Sequence, residues 1–321
     1  MIQRYDFAPL DGITKVVFRQ VYHRLFGGAD RYFLPFFSPT DQHILTKRDR
    51  RELDPAANAG LRVVPQVMTR RAPDFLWAAE LLEDMGYTEV NLNLGCPSGT
   101  VTAKGKGSGF LAKPEELERF FDEVFASVKL PVSVKTRLGV KEPEEFERLL
   151  EIYNRYSIAC LTIHPRVQKQ FYKGTVYRDW FAWAAERSRN PLCYNGDLVT
   201  VEDCGAFEAD FPAIDAVMIG RGAVADPALF RKLRGGTPAT RREIQTFTRT
   251  LYQSYQEFYG QVGPAAQRMK EVWFFLIRLF EGGERHHKRM RRLRTPAEYE
   301  AVEAAIFQEL PLRDHAEGAF G

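Results

Sequence analysis

From Tyr5 to Arg234, short apolar and β-branched runs alternate with longer segments of helical period. The runs begin near Tyr5, Arg31, Leu61, Glu89, Pro131, Ala159, Pro191 and Asp215. Between them lie stripes such as Phe121, Val124, Phe125 and Val128, or Phe146, Leu149, Leu150 and Tyr153, spaced to keep one helix face apolar. This alternation builds βα units around a parallel sheet, and eight strand candidates predict a closed α/β TIM (β/α)8 barrel. An open doubly wound sheet would carry a GxGxxG turn after an early strand; Gly105-Lys106-Gly107-Ser108-Gly109 lacks that spacing.

Strand signals stop after Arg234-Gly235-Gly236-Thr237-Pro238. Phe247, Leu251, Tyr255 and Phe258 then recur at helical period, a second helix is expected over Ala266 to Phe280, and Val302, Ile306 and Leu310 mark a last one. The expectation is a barrel over 1–237 followed by a small C-terminal helical bundle domain over 238–321.

Composition narrows the class. The hydrophobic fraction of 45% is ordinary, and no run approaches the ~20 apolar residues of a membrane helix. Met1 to Asp6 leads into a strand without the regions of a secretory signal, so a soluble, cytoplasmic chain is expected. Cys96, Cys160, Cys193 and Cys204 form no CxxC pair, which predicts neither a metal site nor a disulfide framework. No feature calls for an obligatory protein partner. The formal charge of +3 is too small to imply nucleic acid by itself. The basic run Arg285, His286, His287, Lys288, Arg289, Arg291, Arg292 and Arg294 does suit phosphates, although from Thr240 onward there are only 13 Lys and Arg against 11 Asp and Glu.

Polar groups gather at the carboxyl ends of the expected strands, where barrel enzymes keep their chemistry: Pro9 to Gly12, Gln66, Asn93 with Cys96, Lys135 with Arg137, His164 with Arg166, Asn195 to Asp197, and Gly220-Arg221-Gly222. The last two occupy the usual phosphate position of barrels, where glycines let backbone amides approach an anion. Lys135 would project toward the barrel axis and needs a partner: a carboxylate, the pyrimidine edge of a flavin, or a carbonyl awaiting Schiff-base chemistry. Cys96, at the end of a strand read as buried on both faces, is either a small buried hydrophobe or a general acid. The loop after it, with Lys104 and Lys106, is read as able to close over a ligand.

Ala8-Pro9-Leu10-Asp11-Gly12-Ile13-Thr14 with Phe18-Arg19, Asn93-Leu94-Gly95-Cys96-Pro97, Val134 to Gly139, His164-Pro165-Arg166, Asn195-Gly196-Asp197 and Gly220-Arg221-Gly222 together resemble the tRNA-dihydrouridine synthases, in order along the whole barrel. The resemblance implies FMN, with Pro9, Leu10 and Asp11 under the ring, Gln66 and Lys135 at its polar edge, His164 among its contacts, and Asn195, Gly196, Asp197, Gly220 and Arg221 around the phosphate. It implies NADPH as reductant and hydride delivery to carbon 6 of a uracil, with Cys96 protonating carbon 5. The target base would be held by Asn93, Arg137, Arg166 and Tyr172, with His164 also in reach. The tRNA backbone would meet Arg285, Lys288, Arg289 and Arg292. Three departures stand out: Leu10 for a usual methionine, Lys15 for an aspartate, and Pro165 for a small residue. Rival readings are a flavin enzyme acting on a free pyrimidine, a Lys135 Schiff-base aldolase, and an RNA-binding barrel without catalysis. Removing residues 240–321 is expected to spare flavin binding and abolish action on tRNA.

Overall fold

The computed structural model describes residues 2–317. Nine parallel strand segments form one sheet: β1 (Arg4–Phe7), β2 (Arg31–Phe33), β3 (Val63–Val64), β4 (Gln66–Val67), β5 (Val90–Leu94), β6 (Val132–Gly139), β7 (Leu161–Val167), β8 (Leu192–Tyr194) and β9 (Ala216–Ile219). Each of the eight predicted starts falls on a strand or just before one. The ninth segment arises at Pro65, which has no N–H to give the ladder and divides the third strand in two. The first half pairs with β2 and the second with β5, so the two ends of the sheet are consecutive pieces of one strand. A further bridge between Phe37 and Val67 completes the ring.

Helices cover the outside, so the strands are buried on both faces and read as apolar runs. Phe75, Leu82, Leu117, Phe121, Val124, Phe146, Leu149 and Leu150 are buried against the outward strand side chains. Inside the ring, a small cluster of Ala8, Phe33, Val64, Cys160, Cys193, Ala216 and Met218 fills one part of the barrel, and polar side chains fill the rest.

After Pro238 the chain is helical: Arg241–Tyr259, Val262–Leu276, Glu284–Arg292 and Pro296–Glu309. The first starts at a reciprocal cap in which Thr240 accepts from the Glu243 amide and Glu243 accepts from the Thr240 amide, a signature visible in the sequence Thr-Arg-Arg-Glu. Its buried face sets Phe247 edge-on to Phe18, on the barrel helix Val16–Leu25, at 5.8 Å and to Phe26, just after that helix, at 5.5 Å. One buried cluster therefore runs from barrel into bundle. Among the described residues, no helix is long and apolar enough to cross a membrane.

Candidate active site

A cavity of about 460 Å³ opens at the carboxyl ends of the strands, within the ~300–1,000 Å³ range of small-molecule pockets. Its lining takes in Pro9, Leu10 and Asp11 after β1, Gln66 on β4, Asn93 and Cys96 at the end of β5, Lys135 and Arg137 on β6, His164 on β7, Tyr172 in the following loop, Asn195 to Asp197 after β8, and Gly220 to Gly222 after β9. Every barrel residue read as a rim or site residue from sequence lines this cavity except Gly12 and Arg166.

Cys96 is held from two sides. Asn93 turns its carbonyl oxygen toward the chain and accepts from the amides of Gly95 and Cys96, both at 3.0 Å. From behind, Ser108 donates to the Cys96 carbonyl through its hydroxyl at 2.8 Å and its amide at 3.1 Å. Gly107 makes that approach possible: its φ is +56°, and a Cβ there would stand 2.8 Å from the Cys96 oxygen. The glycine-rich loop thus packs behind the cysteine, with Gly107 and Ser108 buried, and is not the cover expected from its composition. Burial pushes the Cys96 thiol above its ordinary pKa, against a smaller lowering by a Ser98 backbone hydrogen bond.

Asn93 is itself aimed by a row of interior hydrogen bonds that all run one way. Its Nδ2 donates to Gln66 Oε1 at 2.7 Å; Gln66 Nε2 donates to Asn91 Oδ1 at 2.8 Å; Asn91 Nδ2 donates to Ser133 Oγ at 2.9 Å; and Ser133 donates to Glu89 at 2.6 Å. The carboxylate of Glu89 can only accept, so it fixes the direction of the whole row. Arg31 holds Glu89 at 2.8 Å and clamps Asp6 with two bonds of 2.9 and 2.7 Å. Register produces this alignment, because Gln66, Asn91 and Ser133 are direct partners across β4, β5 and β6, as are Asn93 and Lys135.

Lys135 lies next to Asn93 and lines the cavity, and among the described residues no hydrogen-bond acceptor meets its ammonium. Burial, and then the charge of Arg137, pull its pKa down to about 7. Arg137 is fixed by the carbonyls of Gly95 at 2.8 Å and Val167 at 3.2 Å, and burial lowers its pKa to about 10. His164 accepts from Arg166 through Nε2 at 3.1 Å, and burial with four surrounding cations drives its pKa well below the ordinary value, so the ring is neutral. His164 and Arg166 share an orientation, as the continuing strand requires. Arg166, however, lies behind the lining: it donates to Gly174 O at 2.6 Å and pairs with Asp197. The geometry gives it the job of holding His164 and Asp197 and offers no face of it to a base. Asp197, at φ +46°, also binds Arg221 at 2.6 Å, which ties the loop after β8 to the loop after β9. Tyr172 is half exposed over the cavity, with the guanidinium groups of Arg137 at 5.3 Å and Arg221 at 5.1 Å from its ring centre.

Arg285, Lys288, Arg289 and Arg292 lie apart from this cavity, around a surface depression that also includes Glu284. Within the same basic run His286 is buried and meets Glu309 at 3.1 Å. Eight lining residues escaped the sequence reading: Pro35 and Phe36 after β2, Leu198 and Val199 after β8, Met218 and Ile219 on β9, and Phe274 and Phe275 on the helix Val262–Leu276. A signal for the last pair was present. Trp273-Phe274-Phe275-Leu276 is four apolar residues in succession, wider than one buried stripe, so at least one ring must face away from the core. Among the described residues no group of three or more His, Cys, Asp or Glu is gathered as a metal site.

Fold and mouth together define a parallel-barrel enzyme, and the comparisons with known proteins agree. The family profile described as dihydrouridine synthase (Dus) matches residues 6–310. A probable tRNA-dihydrouridine synthase 1 of Synechocystis is 31% identical over 278 residues, covering 83% of this chain and 76% of that protein. A tRNA-dihydrouridine(16) synthase of Ralstonia nicotianae is 31% identical over 241 residues, 73% of each. Among solved structures, morphinone reductase matches with a TM-score of 0.52 at 16% identity, over 73% of this chain and 86% of that one, which reflects the shared barrel. The chain belongs to the dihydrouridine synthase family.

Proposed function

We propose that this enzyme reduces the C5–C6 double bond of particular uridines in tRNA to dihydrouridine, with FMN bound in the mouth, NADPH as reductant and Cys96 as proton donor. The observation that carries the reading is one cavity faced by both a neutral thiol and an ammonium without an acceptor.

The residues fit a flavin. Lys135 needs an electron-rich partner, and a buried ammonium without one is costly. Gln66 would lie beside it at the polar edge, with Pro9, Leu10 and Asp11 under the ring and His164 as a further contact. Gly220 packs closely on Ala8 and Leu10, so a Cβ there would be tight at 3.2 and 3.3 Å. Asn195, Gly196, Asp197, Gly220 and Arg221 would form the phosphate end, with Arg221 oriented by Asp197.

Bound flavin would supply hydride to carbon 6. The protein's task is then to seat a base and keep a proton ready. Cys96 retains its proton because burial disfavours the thiolate, and it yields that proton to carbon 5 as negative charge develops there. Asn93, Arg137 and Tyr172 would grip a base splayed from its stack, with Arg166 acting through His164 and Asp197. Arg285, Lys288, Arg289 and Arg292 would meet phosphates in a salt-dependent way. Residues 1–237 are thus the catalytic barrel and 238–321 the RNA-binding part, and a tRNA substrate places the reaction in the cytoplasm. A free-pyrimidine enzyme would leave the basic helix without a use.

The test is to map dihydrouridine across the tRNA of a host lacking this gene, then rescue it with wild type and with Cys96→Ala. Yellow protein, loss at defined positions and rescue by wild type alone are the expected results. Colourless protein that FMN cannot reconstitute, or full rescue by Cys96→Ala, would overturn the reading.

A further inference from the structure

Six large apolar side chains are exposed among the described residues, and two of them, Tyr172 and Phe274, line the cavity. Tyr172 comes from the barrel; Phe274 reaches the same mouth from the helix Val262–Leu276. A single exposed phenyl ring needs no explanation in isolation. Its neighbours supply one.

The ring of Phe274 meets the imidazole of His287 at 5.3 Å and 66°. His287 belongs to the helix Glu284–Arg292, and its Nε2 is buried without a hydrogen-bond partner among the described residues. The same short helix carries Arg285, Lys288, Arg289 and Arg292, with Glu284 as the one acid beside them. From the cavity outward the surface therefore presents an exposed aromatic ring, backed by the His287 imidazole, and four cations.

We propose that Phe274, held edge-on by the His287 ring, seats the nucleotide adjoining the one reduced: its base stacks on the exposed face of Phe274. This rests on the tRNA reading above. A base drawn into the cavity leaves its chain neighbour at the mouth, where stacking no longer comes from the RNA itself and an aromatic plane can replace it. Continuity with the catalytic cavity and the cationic helix favours an unpaired RNA nucleotide over a protein segment. A protein contact would need a larger apolar patch than one ring beside a cationic helix.

The test uses the full-length, flavin-loaded enzyme and unmodified tRNA, with affinity read by fluorescence anisotropy beside KM and kcat. Phe274→Ala is expected to weaken tRNA binding and raise KM about 5- to 150-fold, the equivalent of losing one base–aromatic stack, with kcat falling less than KM rises. Phe274→Tyr is expected to keep wild-type affinity. His287→Ala should weaken binding less, and the double variant less than additively. Wild-type affinity in Phe274→Ala would overturn the proposal, as would a lower melting midpoint with KM unchanged, which would mark a core residue. A change in self-association with tRNA affinity intact would show a protein contact instead. If the wild-type enzyme does not reduce tRNA at all, the functional reading fails; if only the Phe274 variants behave as wild type, this seat alone fails.

Discussion

Asn93→Asp should reverse the hydrogen-bond row inside the barrel by changing one atom. The substitution keeps the side chain's shape and an oxygen for the Gly95 and Cys96 amides, but it replaces the donor to Gln66 with a second acceptor. Gln66 must then turn its Nε2 toward position 93, which sets its Oε1 against Asn91 Oδ1. Asn91 turns in its place, and Ser133 must donate to Asn91 and abandon Glu89. The bond lost is the charge-assisted contact of 2.6 Å between Ser133 and Glu89, worth ~1.5–3 kcal/mol.

Glu89→Gln alone keeps an acceptor for Ser133 and weakens one partner of Arg31, whose double bond to Asp6 remains; the cost is ~1–2 kcal/mol. In the double variant the new amide at 89 can donate to Ser133, so the reversed row ends in a donor and regains its missing bond. The two substitutions should therefore be less harmful together than separately by ~1–2 kcal/mol, read as non-additivity in urea unfolding at mildly alkaline pH. Additive costs, agreeing within ~0.5 kcal/mol, would refute the directional row.

Cys96 should be alkylated slowly at neutral pH, with the rate climbing only above the ordinary thiol range, because burial raises its pKa; an inflection below neutrality would contradict a proton donor. Lys135 has a folded-state pKa of about 7 against an ordinary 10.5, so between those values the unfolded chain holds more protons. The flavin-free protein should accordingly gain stability as pH rises through that window, and Lys135→Met should flatten the gain; an equal slope in both proteins would show that Lys135 is not the cause. Gly107→Ala forces a Cβ to within 2.8 Å of the Cys96 carbonyl at a positive φ. It should cost ~1–3 kcal/mol and slow turnover while flavin content holds; wild-type melting and turnover would show that the loop behind Cys96 does not need glycine.

The barrel was legible because strands enclosed on both sides must read as apolar runs, and the rim was legible because unusual residues recur where those runs stop. Single-residue features carried less. Glu89, Asn91 and Asn93 alternate with Val90, Leu92 and Leu94, a period-two pattern that marks one polar face, yet their partners Gln66 and Ser133 depend on inter-strand register that a lone strand does not encode. Arg166 looked like a substrate contact from its place in a motif, and only its distances to Gly174 and Asp197 show where its donors go. Gly105 to Gly109 suggested a mobile cover from composition, whereas the positive φ of Gly107 serves close approach to Cys96. Phe274 is marked only by the run of four apolar residues from Trp273 to Leu276, because an aromatic residue in an amphipathic helix ordinarily belongs to the core.

Arg268, from the helix Val262–Leu276, donates to the carbonyl of Gly12 at 2.9 Å. The segment Pro9 to Asp11 that floors the cavity is thus braced by a strut rooted near the other end of the chain, and Phe274 and Phe275 complete part of the wall. The bowl is a joint construction. A barrel cut free at residue 240 would keep its strands but lose the strut and a side of the vessel, so it would hold any small molecule less firmly than intact protein does. The half proposed to grip the RNA thus also shapes the cavity proposed to hold the flavin.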